Sequence, residues 1–409
     1  MVKKTITLVI ALFLFKTSFG QNLPSLLLNK NINATFSILA YDEAAQEWGI
    51  AVATNNIYVG NSTVYIEPGI GAFSVIAETE PEYAINGFAR LKAGKTIEQA
   101  IEYTRANDDD ADTRQVSGID AKGNVYAFTG SALKNWKGYS SHLLGKDFVV
   151  MGNQLADSVL TKMAYTFEHT TGTLAERLLK SLLAGQAAGG QLSGKQSAAL
   201  AVRGSNNEWF NQIDLRVDNS KTPFDDLQKL LNYHYGRIKL NQAINAIKSG
   251  NNKRGEALLH AGETMVEGWN GIYSKIIEAR ILLGDDKKAI AIMKKAIAEN
   301  SQWKENLSAF YCLDKYPEFH QLIDERSFTV KDWDNAIQLM LQVNKTKDAI
   351  ELACRVLIKY PSSSFTYCLL GEAWQQQGGK NEAKKNLEMA LQFDPNNAEA
   401  KRELKKLDM

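Results

Sequence analysis

The side chains most often recruited for catalysis or metal binding are thinly spread along this 409-residue chain. Its five histidines, His142, His169, His234, His260 and His320, have no metal-ligand spacing, and a structural or surface role is expected for each. There is no H-E-x-x-H pair, no G-x-S-x-G elbow and no Walker loop. Cys312, Cys354 and Cys368 form no C-x-x-C pair, and buried free thiols on helices are the expectation. Asp108 to Asp110 lacks the alternating oxygens and glycine turn of a calcium loop and reads as a solvated loop. No metal and no cofactor are therefore expected. Two features stay open. The polar-glycine segment Gly185 to Gln191, followed by Gly194-Lys195-Gln196-Ser197, either exposes backbone amides to a ligand or simply ends a helix. Asp214 and Arg216, two apart on a strand, share a face as an ion pair or as a carboxylate-recognising arginine.

The elements that must position these residues divide into two grammars. Up to about residue 235 the chain holds most of its 29 glycines and reads as strands interrupted by helix pairs. Thr35 to Ala40 and Trp48 to Ala53 predict an antiparallel hairpin, and Gly71 to Glu78 another strand. Pro81 opens a helix to about Ala93; Thr96, with Gln99 three residues on, caps the next. A second hairpin turns at Lys122-Gly123, and Phe148 to Met151 is a short strand. Helices follow over Leu155 to Glu168 and Leu174 to Ala187, then strands Ser197 to Arg203 and Gln212 to Val217, then a helix from Pro223 to about Tyr235. This order predicts a layered α+β domain over 35–235.

From residue 236 to 409 the strands vanish and a repeat sets in. Ala349 and Ala383, Val356 and Ala390, Pro361 and Pro395, and Trp333 and Tyr367 are each 34 residues apart. The last copy, Ser364 to Asn397, with Tyr367, Leu370, Gly371, Trp374, Ala383, Leu387, Ala390 and Pro395, resembles the tetratricopeptide repeat. Small residues let two antiparallel helices approach, and Pro395 stops the second. An earlier copy fits Asn270 to Trp303, and a weaker one about Ile238 to Gly268, with Ala257 in the role of Ala289. Phe310 to Phe328 reads as a shortened repeat. The expectation is an all-α solenoid that folds on contacts between neighbours and docks a protein or peptide partner.

Charge narrows the partners. With 47 basic and 46 acidic residues the net charge is +1, which removes the electrostatic case for nucleic acid. At the start, Lys3 and Lys4 precede a ten-residue apolar run, Ile6 to Phe15, against about 20 residues needed to span a bilayer. Ser18 and Gly20 then sit where a signal peptidase reads small residues, before Gln21. Residues 1–20 thus have the layout of a secretory signal, followed by a leader or linker over 21–34. The expected product is periplasmic or secreted, with no integral membrane segment once the signal is removed.

Taken together, Ala34 to Ala40, Gly49 to Ala53, Arg114-Gln115-Val116, Ala127 to Gly130, Gly152-Asn153, Ala184 to Gly190, Gln196 to Leu200 and Asp214 to Asp218 resemble, in order, the domain-of-unknown-function family 1028. The resemblance covers about Thr35 to His234. It implies the fold of N-terminal nucleophile hydrolases, a four-layer αββα sandwich of two antiparallel sheets between helices, and no known substrate. In such hydrolases the first residue of the mature chain attacks a carbonyl and its own α-amino group takes the proton. Thr35 stands at the matching position, implying an amidohydrolase acting on an unknown amide or peptide. Around Thr35, the candidate groups for a substrate are Ser37 on the same strand face, Asn55, Gln115, Asn153 and Gln196 as amide donors to substrate or to buried backbone, Glu80, and Asp214 with Arg216. Departures from the family pattern are Ile76 and Glu80, where Gln and Asn are usual, and Thr54-Asn55 in place of Ser-Lys or Ser-Arg. Fourteen residues, Gln21 to Ala34, precede Thr35 after signal removal. The alternative is a catalytically silent binding or scaffold protein of the envelope that acts through its repeats.

Overall fold

The computed structural model describes residues 34–208 and 211–407. The expected signal peptide, and all of the leader except Ala34, lie outside the described residues. The chain divides into two compact units, at Leu230 and Leu231.

In the first unit β1 (Thr35–Asp42) and β2 (Glu47–Thr54) form the expected hairpin, followed by β3 (Val64–Glu67), β4 (Gly71–Ala77), α1 (Glu82–Lys92) and α2 (Ile97–Arg105). Thr96 caps α2 with the capping box its spacing predicts. Next come β5 (Arg114–Asp120), β6 (Val125–Thr129), β7 (Tyr139–Gly145), β8 (Phe148–Leu155), α3 (Val159–His169), α4 (Leu174–Ala187), β9 (Ser197–Gly204) and β10 (Ile213–Val217). Two antiparallel sheets result, ordered β10-β9-β2-β1-β8-β7 and β3-β4-β5-β6. The helices α3 and α4 pack on the larger sheet, α1 and α2 on the smaller, and β1 faces β4 and β5 across the interior. β1 is therefore covered on both faces, and every residue from Phe36 to Tyr41 is buried.

Several elements differ from the sequence reading, among them β3, a four-residue edge strand where none was expected. β7, with Ser140, Ser141 and His142, is too polar to signal a strand and is an edge of its sheet. β8 extends to Leu155, so the helix expected from Leu155 starts only at Val159. The helix expected to close near Tyr235 continues as α5 (Pro223–Lys248), so the boundary expected at 235 falls inside it. No glycine or proline interrupts that helix except Gly236, whose missing side chain admits Val266.

The second unit adds α6 (Asn252–Met265), α7 (Tyr273–Leu282), α8 (Asp286–Glu299), a 3-10 stretch over Ser301–Leu313, the single turn α9 (Pro317–His320), α10 (Val330–Gln342), α11 (Thr346–Lys359), α12 (Ser364–Gln376), α13 (Lys380–Phe393) and α14 (Ala398–Leu407). The pairs α7/α8, α10/α11 and α12/α13 carry the expected repeats, with Ala289, Ala349 and Ala383 fully buried. The shortened repeat expected over Phe310 to Phe328 falls in an irregular stretch that starts earlier, with 3-10 turns over Ser301–Leu313, the single turn Pro317–His320 and a 3-10 turn at Glu325–Ser327. In the weak first copy Ala257 is exposed, contrary to expectation. Gly255 takes the close-approach position, where a Cβ would lie 2.4 Å from the Ile247 side chain.

Candidate functional site

Register builds the site. Thr35 pairs with Thr54 on one side and with Asn153 on the other, and Thr54 pairs with Ser197. Directly opposed residues of antiparallel strands point to one face, so β9, β2, β1 and β8 present Ser197, Thr54, Thr35 and Asn153 together. That rung ends at a cleft of about 330 Å³ lined by Thr35, Thr54, Asn153, Tyr58, Thr63, Ile76, Glu78 and Trp136, among others. Ala77, on its wall, has φ 69°, and Gln154, next to Asn153, has φ 55°. Both are left-handed values that a non-glycine residue rarely holds, and such strain gathers at binding sites.

Each polar group of the rung is held by a second. Thr35 N–H donates to Asn153 Oδ1 at 3.1 Å, and Asn153 Nδ2 to Gln115 Oε1 at 3.2 Å. Gln115, wholly buried on the facing sheet, directs Nε2 at the carbonyls of Ser141 (2.9 Å) and Gly152 (3.0 Å) and at Thr129 Oγ1 (3.0 Å). Carbonyls only accept, so they fix which end of the Gln115 amide faces Asn153, and Asn153 in turn must present oxygen to Thr35. Thr129 Oγ1 continues to His142 Nδ1 at 2.9 Å, and burial pushes the His142 pKa below its ordinary value.

On the other side of Thr35 the carbonyl of Ala34 gathers three donors. They are Thr54 Oγ1 at 2.9 Å, Asn55 N–H at 3.0 Å and Gln191 Nε2 at 2.6 Å. Ala34 is 1% exposed, so water does not share that oxygen. Gln191 also donates to Ala53 O at 3.0 Å, while its own oxygen is buried without a partner among the described residues. It reaches the site because Gly189 (φ 114°) and Gly190 (φ 54°) turn the chain at the end of α4. The polar-glycine segment singled out in the sequence thus serves through a glutamine side chain rather than through exposed amides.

Ser37, two residues along β1, accepts from Ser74 Oγ at 3.1 Å between the sheets and is fully buried. The Asn55 side chain donates to Ser193 O at 3.0 Å. Glu80 is not among the cleft-lining residues; it accepts from Glu82 N–H at the start of α1 at 3.1 Å. Gln196 donates to Asn219 Oδ1 at 2.8 Å. Asp214 and Arg216 share the exposed face of β10 and pair at 2.9 Å, with Arg203 also on Asp214. None of Ser37, Asn55, Gln115, Gln196, Asp214 and Arg216 lines the cleft. Sequence reasoning missed Thr54 and Gln191 as groups on Ala34. The signal for Gln191 lay in its glycine neighbours, and that for Thr54 only in register.

Two other expectations are corrected. Asp109 and Asp110 are exposed as expected, but Asp108 is half-buried and paired: Arg114 Nε lies 2.9 Å from its carboxylate, Tyr83 OH donates to it at 3.1 Å, and although burial pushes its pKa up, Arg114 holds it below the ordinary value. The cysteines are free, but only Cys312 and Cys368 are buried, and Cys354 is exposed. Among the described residues Asp314, His320 and Glu325 bring one ligand atom each within 4.8 Å on an open surface, where His320 already pairs with Asp314.

In the second unit a groove of about 350 Å³ runs along α7, the 301–313 stretch and α10. Ser274, Asn306, Asn335 and Gln342 line it with polar side chains, Leu339 and Phe310 with apolar ones, and Lys275, Glu278 and Glu305 with mixed charge.

The molecule thus joins a two-sheet domain with a threonine-centred cleft to a helical repeat domain. Residues 35–227 match the family described as "Family of unknown function (DUF1028)", as their motifs imply. A solved member of that family, protein SPO2555 from Silicibacter pomeroyi, is 28% identical over 48% of this chain and 84% of its own, with a TM-score of 0.45. The helical part is similar to tetratricopeptide proteins. MamA from Desulfovibrio magneticus RS-1 is 14% identical over 42% of this chain and 83% of its own, with a TM-score of 0.21. YrrB, described as a TPR protein with an unusual peptide-binding site, is 13% identical over 41% of this chain and 90% of its own, with a TM-score of 0.24. The curated proteins give no match. No helix among the described residues is long and apolar enough to cross a membrane.

Proposed function

We propose that the first unit is an amidohydrolase of the N-terminal nucleophile type, with the αββα sandwich of that class, and that the repeats dock a protein or peptide segment. The observation that carries this reading is Thr35 at the mouth of a cleft, its nitrogen held by Asn153 and the preceding carbonyl by three donors. Once the Ala34–Thr35 bond is cut, the Thr35 hydroxyl adds to an amide carbonyl in the cleft. The freed α-amino group, with an ordinary pKa of about 7.7–8.0, takes its proton at neutral pH. Asn153 Oδ1 accepts one amine hydrogen and so turns the lone pair toward the hydroxyl. Before cleavage peptide resonance withholds that lone pair, so the chain is inactive while residues precede Thr35.

The layout of residues 1–20 supports a periplasmic or secreted site of action. The test is the N-terminus of the secreted protein, read by intact mass for wild type and Thr35→Ala. Wild type should begin at Thr35, and Thr35→Ala should retain Gln21 to Ala34. Gln21 first in both would select the second reading, a silent binding or scaffold protein acting through its repeats. The departures at Ile76 and Glu80 favour that reading. For the repeats, the groove's lining of neutral polar, apolar and mixed-charge side chains supports docking of an extended segment of low net charge. Its affinity should change little between low and physiological ionic strength, and a steep fall with salt would point instead to a charged ligand.

A further inference from the structure

We propose that Thr54 is a second catalytic residue of the cut at Ala34–Thr35, passing the proton of the Thr35 hydroxyl to the Ala34 carbonyl oxygen. This rests on the reading that Thr35 frees itself. Thr54 Oγ1 donates to Ala34 O at 2.9 Å and lies 2.9 Å from Thr35 Oγ1. A threonine hydroxyl has one proton and two lone pairs. With the Thr54 proton directed at Ala34, the Thr35 hydroxyl must be the donor in the other bond. The path therefore runs one way: from the nucleophile, through Thr54, to the oxygen of the carbonyl under attack. Among the described residues no ionisable side chain is hydrogen-bonded to either threonine, so a neutral relay does the work of a charged base. A peptide carbonyl has two lone pairs in its plane, whereas Ala34 O receives three donors, an arrangement suited to the tetrahedral oxygen that forms on attack.

The step balances without a further reagent until water enters. Thr35 Oγ bonds to the Ala34 carbonyl carbon as its proton passes to Thr54 Oγ, and the Thr54 proton passes to Ala34 O. Thr54 is regenerated and the intermediate is neutral. The C–N bond then breaks, its electron pair going to Thr35 N. That nitrogen takes the proton of the intermediate's hydroxyl, leaving an ester between Ala34 and the Thr35 hydroxyl. Water hydrolyses the ester, giving a carboxyl group on Ala34 and a free hydroxyl and α-amine on Thr35. Thr54→Val keeps the branched shape and removes the relay, and Thr54→Ser keeps the hydroxyl.

Full-length wild type, Thr54→Ser and Thr54→Val should be synthesised in a cell-free system and the fraction beginning at Thr35 followed by intact mass. Thr54→Val should be slowed about a hundredfold or more, and Thr54→Ser should stay within about tenfold of wild type. In mixtures of light and heavy water the wild-type rate should bow, as two protons move together. Thr54→Val cutting at the wild-type rate overturns the relay and leaves the nucleophile reading intact, as does Thr54→Ser failing as badly as Thr54→Val. A linear isotope response of wild type overturns it even where the valine variant does not fold. Wild type that never loses the residues ahead of Thr35 overturns the self-cleavage reading itself, and the relay with it.

Discussion

The two units bury polar groups in different ways. In the sheet unit Thr35, Asn153, Gln115, Thr129 and His142 form one chain of hydrogen bonds drawn from β1, β8, β5, β6 and β7. Its members come from positions as far as 118 residues apart. In the repeat unit the buried polar pairs join neighbouring helices of the stack, as Thr366 Oγ1 does with Asp334 Oδ1 at 2.5 Å. Strand pairing brings distant residues to one spot and permits a site. Helix stacking repeats a local solution and yields a continuous surface instead. The cleft around Thr35 and the groove along α7 and α10 follow from that difference.

Core truncation tests it most strongly. Phe36→Ala, in a fully buried position of β1, should cost about 3–5 kcal/mol and loosen the whole sheet unit. Leu387→Ala, equally buried in α13, should cost about 2–5 kcal/mol with its effect confined to the last helix pairs. Hydrogen exchange separates the two. Protection lost throughout the repeats in Leu387→Ala would erase the contrast.

A smaller effect is expected for Gln115→Leu. It leaves Asn153 Nδ2 and the Ser141 and Gly152 carbonyls without their partner, at about 1–3 kcal/mol for each group that stays buried and unpaired. The melting temperature of the sheet unit should fall while that of the repeats holds. Gln115→Glu should not restore it, because the carbonyls meet a second acceptor.

The repeats offer a pH test. Burial, with Glu399 and Glu403 nearby, pushes the Glu372 pKa up to about 7 from 4.5. Below its unfolded value Glu372 is protonated in both states and costs nothing. As pH rises from 4.5 to 7 the unfolded state ionises first, so stability falls, and above 7 the loss is constant. With its partial exposure discounted, the loss is about 1 kcal/mol. Thermal melts at pH 5 and pH 8 should therefore differ more for wild type than for Glu372→Gln. An identical difference in both proteins would discard Glu372 as the cause. The smallest effect is expected at Asp214→Asn on the exposed β10 face, within about 1 kcal/mol by urea unfolding. A larger loss would mean that the Arg203–Asp214–Arg216 cluster does more than pair on the surface.

Much of this molecule is written locally. The β1–β2 hairpin, the capping box at Thr96 and the 34-residue helix pairs each follow from residues within one element or its neighbour, because turn chemistry, capping and periodicity are short-range. Where the local signal is weak, the structure departs from it. The polar edge strand β7 went unread, Ala257 stood in for Gly255, and α5 ran on past its expected end. What the amino-acid order could not determine alone is the meeting of Thr54, Asn55 and Gln191 on the Ala34 carbonyl, and of Gln115 with Asn153. Those contacts depend on strand register and on one sheet packing over another. A shift of a single residue would turn Thr54 to the opposite face, so only the assembled sheets decide that these side chains share a site.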